Sequence, residues 1–204
     1  MRRQPRQARS QERVNRILDV AEEMFIQTGY NATTTNAIAT RAQVPIGSLY
    51  QFFPDKAAIL QALAVRYTEQ LHQKLLALHN SAIANLPLAT FVEQIIDATA
   101  QFFTAQPGYH AIFMEVQGTM PELAQIEDAA DAQLVADLAA ALTQRDMNLN
   151  SDDSEAIAFV LVKAIGTLLW LSLSQEAPFQ QRLVQETKRL TLSYLQSYCG
   201  DAAQ

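Results

Sequence analysis

The chain has little that would cross-link, ligate or sharply bend it: one cysteine, six glycines and seven prolines in 204 residues. Cys199 alone forms no intrachain disulfide. His72, His79 and His110 are scattered, and the first two lie two helical turns apart, too far for an i,i+4 ligand pair, so no metal is expected. No nucleophile–base constellation and no Gly-rich phosphate loop is visible; neither an enzyme nor a cofactor is expected. Strand-like alternation and internal repeats are missing too. The basic start "MRRQPRQARSQER" has no apolar core behind it, as a secretory leader would, and a cytoplasmic compartment is the expectation.

What is present reads as helix. Hydrophobic residues make up 49% of the chain, enough for a substantial core, and Ala, Leu and Gln are frequent. Charge is divided unevenly. Residues 1–56 hold eight basic and five acidic side chains, a balance of +3, and residues 57–204 hold seven and sixteen, a balance of −9. A basic head on an acidic body suits an anionic partner, DNA or a membrane surface. The one stretch that could pass for a membrane span, "AIAFVLVKAIGTLLWLSL" at 156–173, carries Lys163 near its middle and has no basic flank, so a buried helix is expected there and no membrane.

Apolar residues at Val14, Ile17, Leu18, Ala21, Met24 and Phe25 recur at helical spacing from Gln11 to Thr28, and Gly29 ends that helix. "NATTTNAIATRA" supplies a capping threonine, Thr33 or Thr34, and a short second helix. "QV" makes a turn, Pro45 suits the start of a third helix, and Pro54 stops it after about two turns. Asp55 caps a fourth helix to about residue 79. Further helices are expected at 87–105, 107–117, 121–145, 153–175 and 178–199, four of them opened by Pro87, Pro107, Pro121 and Pro178.

Two short helices joined by a tight turn, behind a longer helix and a basic arm, make a helix-turn-helix candidate. Ile38, Ala39 and Ala42 would pack the first, and Leu49 and Phe52 would anchor the back of the second. A helix that enters a major groove needs a small or polar outer face, and Ile46, Gly47, Ser48 and Gln51 provide one.

The run "RILDVAEEMFIQTGYNATTTNAIATRAQVPIGSLYQFFPDKAAIL", residues 16–60, resembles the TetR family of transcriptional regulators, through "A..F...GY..TT...IA..A.V", "GSLYQFF" and "PDK..L". The resemblance covers about a quarter of the chain. It implies an all-α protein with an N-terminal three-helix DNA-binding domain, residues 1–54, and a C-terminal helical ligand-binding and dimerisation domain, residues 55–204. It also implies roles. Thr33 and Thr34 look like phosphate contacts, Tyr50 resembles a tyrosine that reaches the backbone, and Lys56 resembles a phosphate-binding lysine. Thr35, Pro45, Ile46, Gly47, Ser48 and Gln51 occupy positions facing bases or the groove wall, with Gln51 suited to an adenine edge. Plainer readings stand beside these: Thr33 as a cap only, Tyr50 as packing, Lys56 as a solvated charge.

Two departures stand out. Gln43 occupies a turn position where the family usually has Gly, and the third helix lacks Arg and Lys, which removes bidentate reading of guanine from it. Arg2, Arg3, Arg6 and Arg9 could enter a minor groove or remain a solvated tail.

The resemblance further implies a homodimer through the last two helices, a double-stranded DNA operator with palindromic symmetry, and a small-molecule inducer of unknown identity. The helix at 153–175 is apolar on nearly every face, and the last offers Phe179, Leu183, Leu190, Tyr194 and Leu195. Candidate inducer contacts are Phe91, Ile95, Phe102, Phe103, Tyr109, His110, Phe113, Met114, Gln117, Phe159 and Trp170, which suits a largely apolar ligand. Glu115, His110 and Gln117 are polar groups on or near an apolar helix and would orient that ligand if buried. The implied switch moves the helix at 107–117, tilts the fourth helix and respaces two reading heads; this makes the protein a repressor by default. The alternative is a membrane-associated or protein-interaction module that uses the basic arm without reading a DNA sequence.

Overall fold

The computed structural model describes residues 8–80, 86–116, 120–145 and 149–199, and every regular element among them is a helix. In chain order these are α1 Ala8–Thr28, α2 Thr35–Arg41, α3 Ile46–Phe52, α4 Lys56–Asn80, α5 Leu88–Ala105, α6 Pro107–Val116, α7 Pro121–Thr143, α8 Ser151–Ser172 and α9 Ala177–Gln196. The helix expected from Gln11 begins three residues earlier. Arg9 therefore stands exposed on its first turn, while Arg2, Arg3 and Arg6 lie outside the described residues.

The helices form two compact units interleaved in sequence. The first runs to Thr68 and takes in Pro107–Glu127; the second is Glu69–Gln106 with the chain from Asp128 onward. This division differs from a cut after residue 54. The first half of α4 belongs with the head because Ile59, Leu60, Leu63 and Tyr67 are buried at its i, i+1, i+4 and i+8 positions, and α6 belongs there because it packs on α1.

In the first unit α1 contributes Val14, Ile17, Leu18, Ala21 and Phe25 to the core, and α2 and α3 add Ile38, Ala39, Leu49 and Phe52. Fixed anchors join α4 to α1. Arg66 pairs with Asp19 and Glu22, and the Tyr67 hydroxyl donates to Glu22. Burial, and then that bond, push the Tyr67 pKa upward, so the phenol stays a donor.

In the second unit α5, α8 and α9 pack on one another, with Lys188 of α9 paired to Asp97 of α5 at 2.6 Å. His72 meets Asp137 of α7 at 2.6 Å, and the Arg145 guanidinium lies 4.1 Å over the Phe91 ring while donating to the Leu86 carbonyl. Asn150 caps α8 by accepting the Asp153 N–H at 2.8 Å, and Asp152 and Asp153 complement the helix dipole. Among the described residues α8 is the one helix long and apolar enough to cross a bilayer. Ile157, Ala158, Leu161, Ile165 and Leu169 of α8 are buried in protein, and Lys163 is held by Asp131 at 2.6 Å and Asp128 at 3.2 Å.

Candidate nucleic-acid interface

The interface is built from three backbone terminations. Gly29 closes α1 with φ +84° and donates its N–H to the Phe25 carbonyl at 3.0 Å, the left-handed stop that glycine permits. Thr34 is the N-cap of α2, its hydroxyl accepting the Ala37 N–H at 3.2 Å. The α2–α3 turn then reverses the chain through two bonds, Gln43 N–H to the Thr40 carbonyl at 3.1 Å and Val44 N–H to the Ala39 carbonyl at 3.0 Å. That pair is a Schellman closure, sealed by burial of Ala39 and Val44. Gln43 adopts the left-handed φ of +53° despite its side chain, so the turn keeps the geometry a glycine would take there.

α3 follows from this turn. Leu49 and Phe52 are buried and fix its roll, which leaves Pro45, Ile46, Gly47, Tyr50 and Gln51 exposed and Ser48 half-buried. At Gly47 an added Cβ would meet no atom within 4 Å. The structure brings Thr35 and Tyr50 together: their hydroxyls share a hydrogen bond of 3.1 Å, joining the first turn of α2 to the outer face of α3. An uncharged helix is thus held beside a capped helix N-terminus whose N–H groups suit phosphate oxygens.

Two expected contacts are placed differently from the others. Thr33 is buried, and its hydroxyl is engaged with the Gly29 carbonyl at 2.8 Å and Thr28 Oγ1 at 2.9 Å. The capping role expected of Thr33 or Thr34 falls to Thr34. Lys56 is half-buried, and its ammonium donates to the carbonyls of Tyr30, Thr33 and Asn31 at 2.5, 2.8 and 3.2 Å, 4.3 Å over the Tyr30 ring. Burial lowers its pKa, and the nearby Glu115 charge opposes that shift. All three of its N–H donors are occupied by the loop that precedes α2.

In the sequence Glu115 reads only as a polar group that would orient a ligand if buried. It is exposed and bound to that same loop: its carboxylate accepts the Tyr30 N–H at 2.7 Å, the Asn31 N–H at 3.1 Å and Asn31 Nδ2 at 3.0 Å. A signal was there to read. An acid in the last turn of a helix opposes the helix dipole and needs donors from elsewhere.

The candidate inducer contacts divide between the units. In the first, Tyr109 and Phe113 of α6 are buried against Tyr67, with ring centroids 4.8 Å apart for Tyr67–Tyr109 and 4.6 Å for Tyr109–Phe113. His110 is half-buried with its pKa lowered by burial, and Met114 is exposed. In the second, Phe91, Phe102 and Phe103 are buried, Ile95 and Trp170 are half-buried, and Phe103 meets Trp170 edge to face at 5.8 Å. Phe159 is exposed on α8, and Gln117 lies outside the described residues.

A short uncharged reading helix, packed by a tight turn on a capped helix, defines a helix-turn-helix DNA-binding protein. Residues 17–63 match the model described as bacterial regulatory proteins, tetR family, and residues 87–195 match the tetracyclin repressor-like C-terminal domain. The chain belongs to the tetR family of transcriptional regulators.

Among curated relatives, the transcriptional repressor KstR of Rhodococcus jostii is 36% identical over 63 residues, 31% of this chain and 30% of that one. The chain thus matches less than a third of that relative's length. The transcriptional activator FasR of Mycolicibacterium smegmatis is 31% identical over 74% of this chain and 68% of its own. A TetR-family regulator from Streptomyces coelicolor has a solved structure that superposes with a TM-score of 0.67 at 25% identity, covering 91% of this chain and 99% of that one.

Proposed function

We propose that the protein is a homodimeric repressor that binds a palindromic operator and is released by a small, largely apolar ligand. The observation that carries the DNA-reading part is the exposed face of α3 pinned to the start of α2 through Thr35 and Tyr50. Thr34, Thr35 and Tyr50 meet phosphates, and Pro45, Ile46, Gly47, Ser48 and Gln51 face the groove. Gln51 reads an adenine edge and Ile46 a thymine methyl. Thr33 and Lys56 serve this face from behind, by shaping the loop that presents α2.

One reading head contacts few base pairs, so tight binding calls for two. The faces that support pairing are on α8 and α9. Phe159, Val160 and Leu171 are 54%, 46% and 55% exposed, and Phe179 and Leu190 are each 53% exposed. Gly166 stands in mid-helix with open space where a Cβ would be, although Gly there costs up to about 1 kcal/mol relative to Ala. Among the described residues nothing within 4 Å of that Cβ position calls for glycine, and close approach of a second copy would.

The buried aromatic residues Tyr109 and Phe113 of α6 support an apolar ligand, which lowers DNA affinity by its preference for one state of the switch. FasR, matched over more of the chain than KstR, favours a second reading, activation. A reporter behind the bound promoter separates the two by the sign of the change on deletion.

Enrichment from a randomised double-stranded DNA pool, followed by titration across a salt series, tests the reading. An enriched inverted repeat is expected, with preference shifted at one base pair per half-site by Gln51→Ala. Equal affinity for all sequences at every salt would instead leave the protein-interaction alternative standing.

A further inference from the structure

We propose that Glu115 is a positioning residue for DNA reading: delivered by α6, its carboxylate holds the backbone turn at Tyr30 and Asn31 and so fixes the start of α2. Four observations converge. The carboxylate takes three donors from the turn, two of them main-chain N–H groups. Gly29 leaves it room, since a Cβ there would stand 3.3 Å from both carboxylate oxygens. Lys56 grips the same turn from the other side through the Tyr30, Asn31 and Thr33 carbonyls. One short segment is thus held by an anion on its N–H groups and a cation on its C=O groups, each contributed by a different helix. Thr33 locks the rest of it by burial, and Thr34 caps α2 immediately afterwards.

The consequence is that α6 becomes part of the reading head. Its other end lies directly on α1, where a Cβ on Gly108 would come within 2.6 Å of Ile26 Cδ1. Between the two ends it carries Tyr109, His110, Phe113 and Met114, four of the candidate inducer contacts. A ligand that moves α6 would withdraw Glu115 from the turn and loosen the start of α2. What moves α6 rests on the ligand-responsive reading above; the grip on the turn does not.

The sign of the effect on DNA affinity makes the test sharp. An ordinary surface carboxylate on a DNA-binding head repels DNA, so its removal leaves binding unchanged or tightens it. A positioning carboxylate does the reverse. Using the sequence that wild type enriches most, Glu115→Ala is expected to weaken binding roughly tenfold, with base preference unchanged. Glu115→Gln, which retains one acceptor oxygen, should fall between. Amide hydrogen exchange on the free protein should show faster exchange at Tyr30 and Asn31 in both variants, with the Leu49 and Phe53 amides unaltered. Should the alanine variant fail to fold, the isosteric glutamine variant carries both readouts. Unchanged or tighter binding by the variants, or unchanged exchange at the two amides, would overturn the proposal. If wild type enriches no sequence, the DNA-reading function fails, and the exchange measurement alone decides whether Glu115 holds the turn.

Discussion

Gly47→Ala should make the protein more stable and a worse DNA binder. Gly47 is the second residue of α3 and is exposed, and a Cβ built there meets nothing within 4 Å. Ala is preferred to Gly in a helix by up to about 1 kcal/mol, and roughly half of that is expected in an exposed first turn. For a chain of this size that gain corresponds to a rise in Tm of about 1–2 °C. The same methyl projects from the face proposed to meet the groove. Forcing it into a closely packed interface costs about 1–3 kcal/mol, roughly 5–150-fold in affinity. Thermal unfolding followed by circular dichroism, beside titration of the enriched DNA, reads both quantities. A variant that is stabilised and binds DNA as tightly as wild type would refute the placement of Gly47 against the groove. A variant with lowered Tm would refute the open space on which the reasoning depends.

Lys56→Met should weaken binding to all sequences while leaving the slope of log K against log salt unchanged; a phosphate contact would instead reduce that slope by about 0.9. Glu115 has its pKa held below the ordinary 4.5, first by the Tyr30 N–H, then by Asn31, with the Lys56 charge also contributing. A depressed carboxylate pKa contributes stability above pH 4.5 that is lost as pH falls through the folded value. Tyr30 and Asn31 should lose exchange protection over that acid interval in wild type, and Glu115→Gln should abolish the dependence. Gly166→Ala, with open space where its Cβ would stand, should leave helix content intact and weaken the proposed dimer, read by sedimentation over a concentration series. Thr34→Ala removes the α2 cap and should lower stability by about 1 kcal/mol, measured by denaturant unfolding.

Much of the head was legible because local rules agree with one another there. Gly29, Thr34, Pro45, Pro54 and Asp55 punctuate short helices whose apolar residues, Ile38, Ala39, Leu49 and Phe52, are all buried. Further along, α5 starts just after Pro87, α6 and α7 start on Pro107 and Pro121, and α9 carries Pro178 as its second residue, for the same reason. What stayed hidden depends on residues far apart in sequence. Lys56 shows a lone cation just after Pro54 and Asp55, and nothing local says its donors turn back 23 to 26 residues to carbonyls. Glu115 reaches 84 and 85 residues back, and main-chain N–H groups leave no mark in a sequence. Glu22 likewise joins Arg66 and Tyr67 across more than 40 residues. The interleaving of the units was hidden for a related reason. α4 is one uninterrupted apolar stripe, and the change of partner along it leaves no break in its periodicity.

The measurement that bears most directly on the central claim is the stoichiometry and sequence preference of DNA binding, read together. The enriched duplex and a scrambled duplex of equal length would be titrated at physiological salt, with the mass of the complex determined at saturation. Two chains on one inverted repeat, bound at least about 10³-fold more tightly than the scrambled duplex, is the expected result. One chain per duplex, or equal affinity for the two duplexes, would contradict the account.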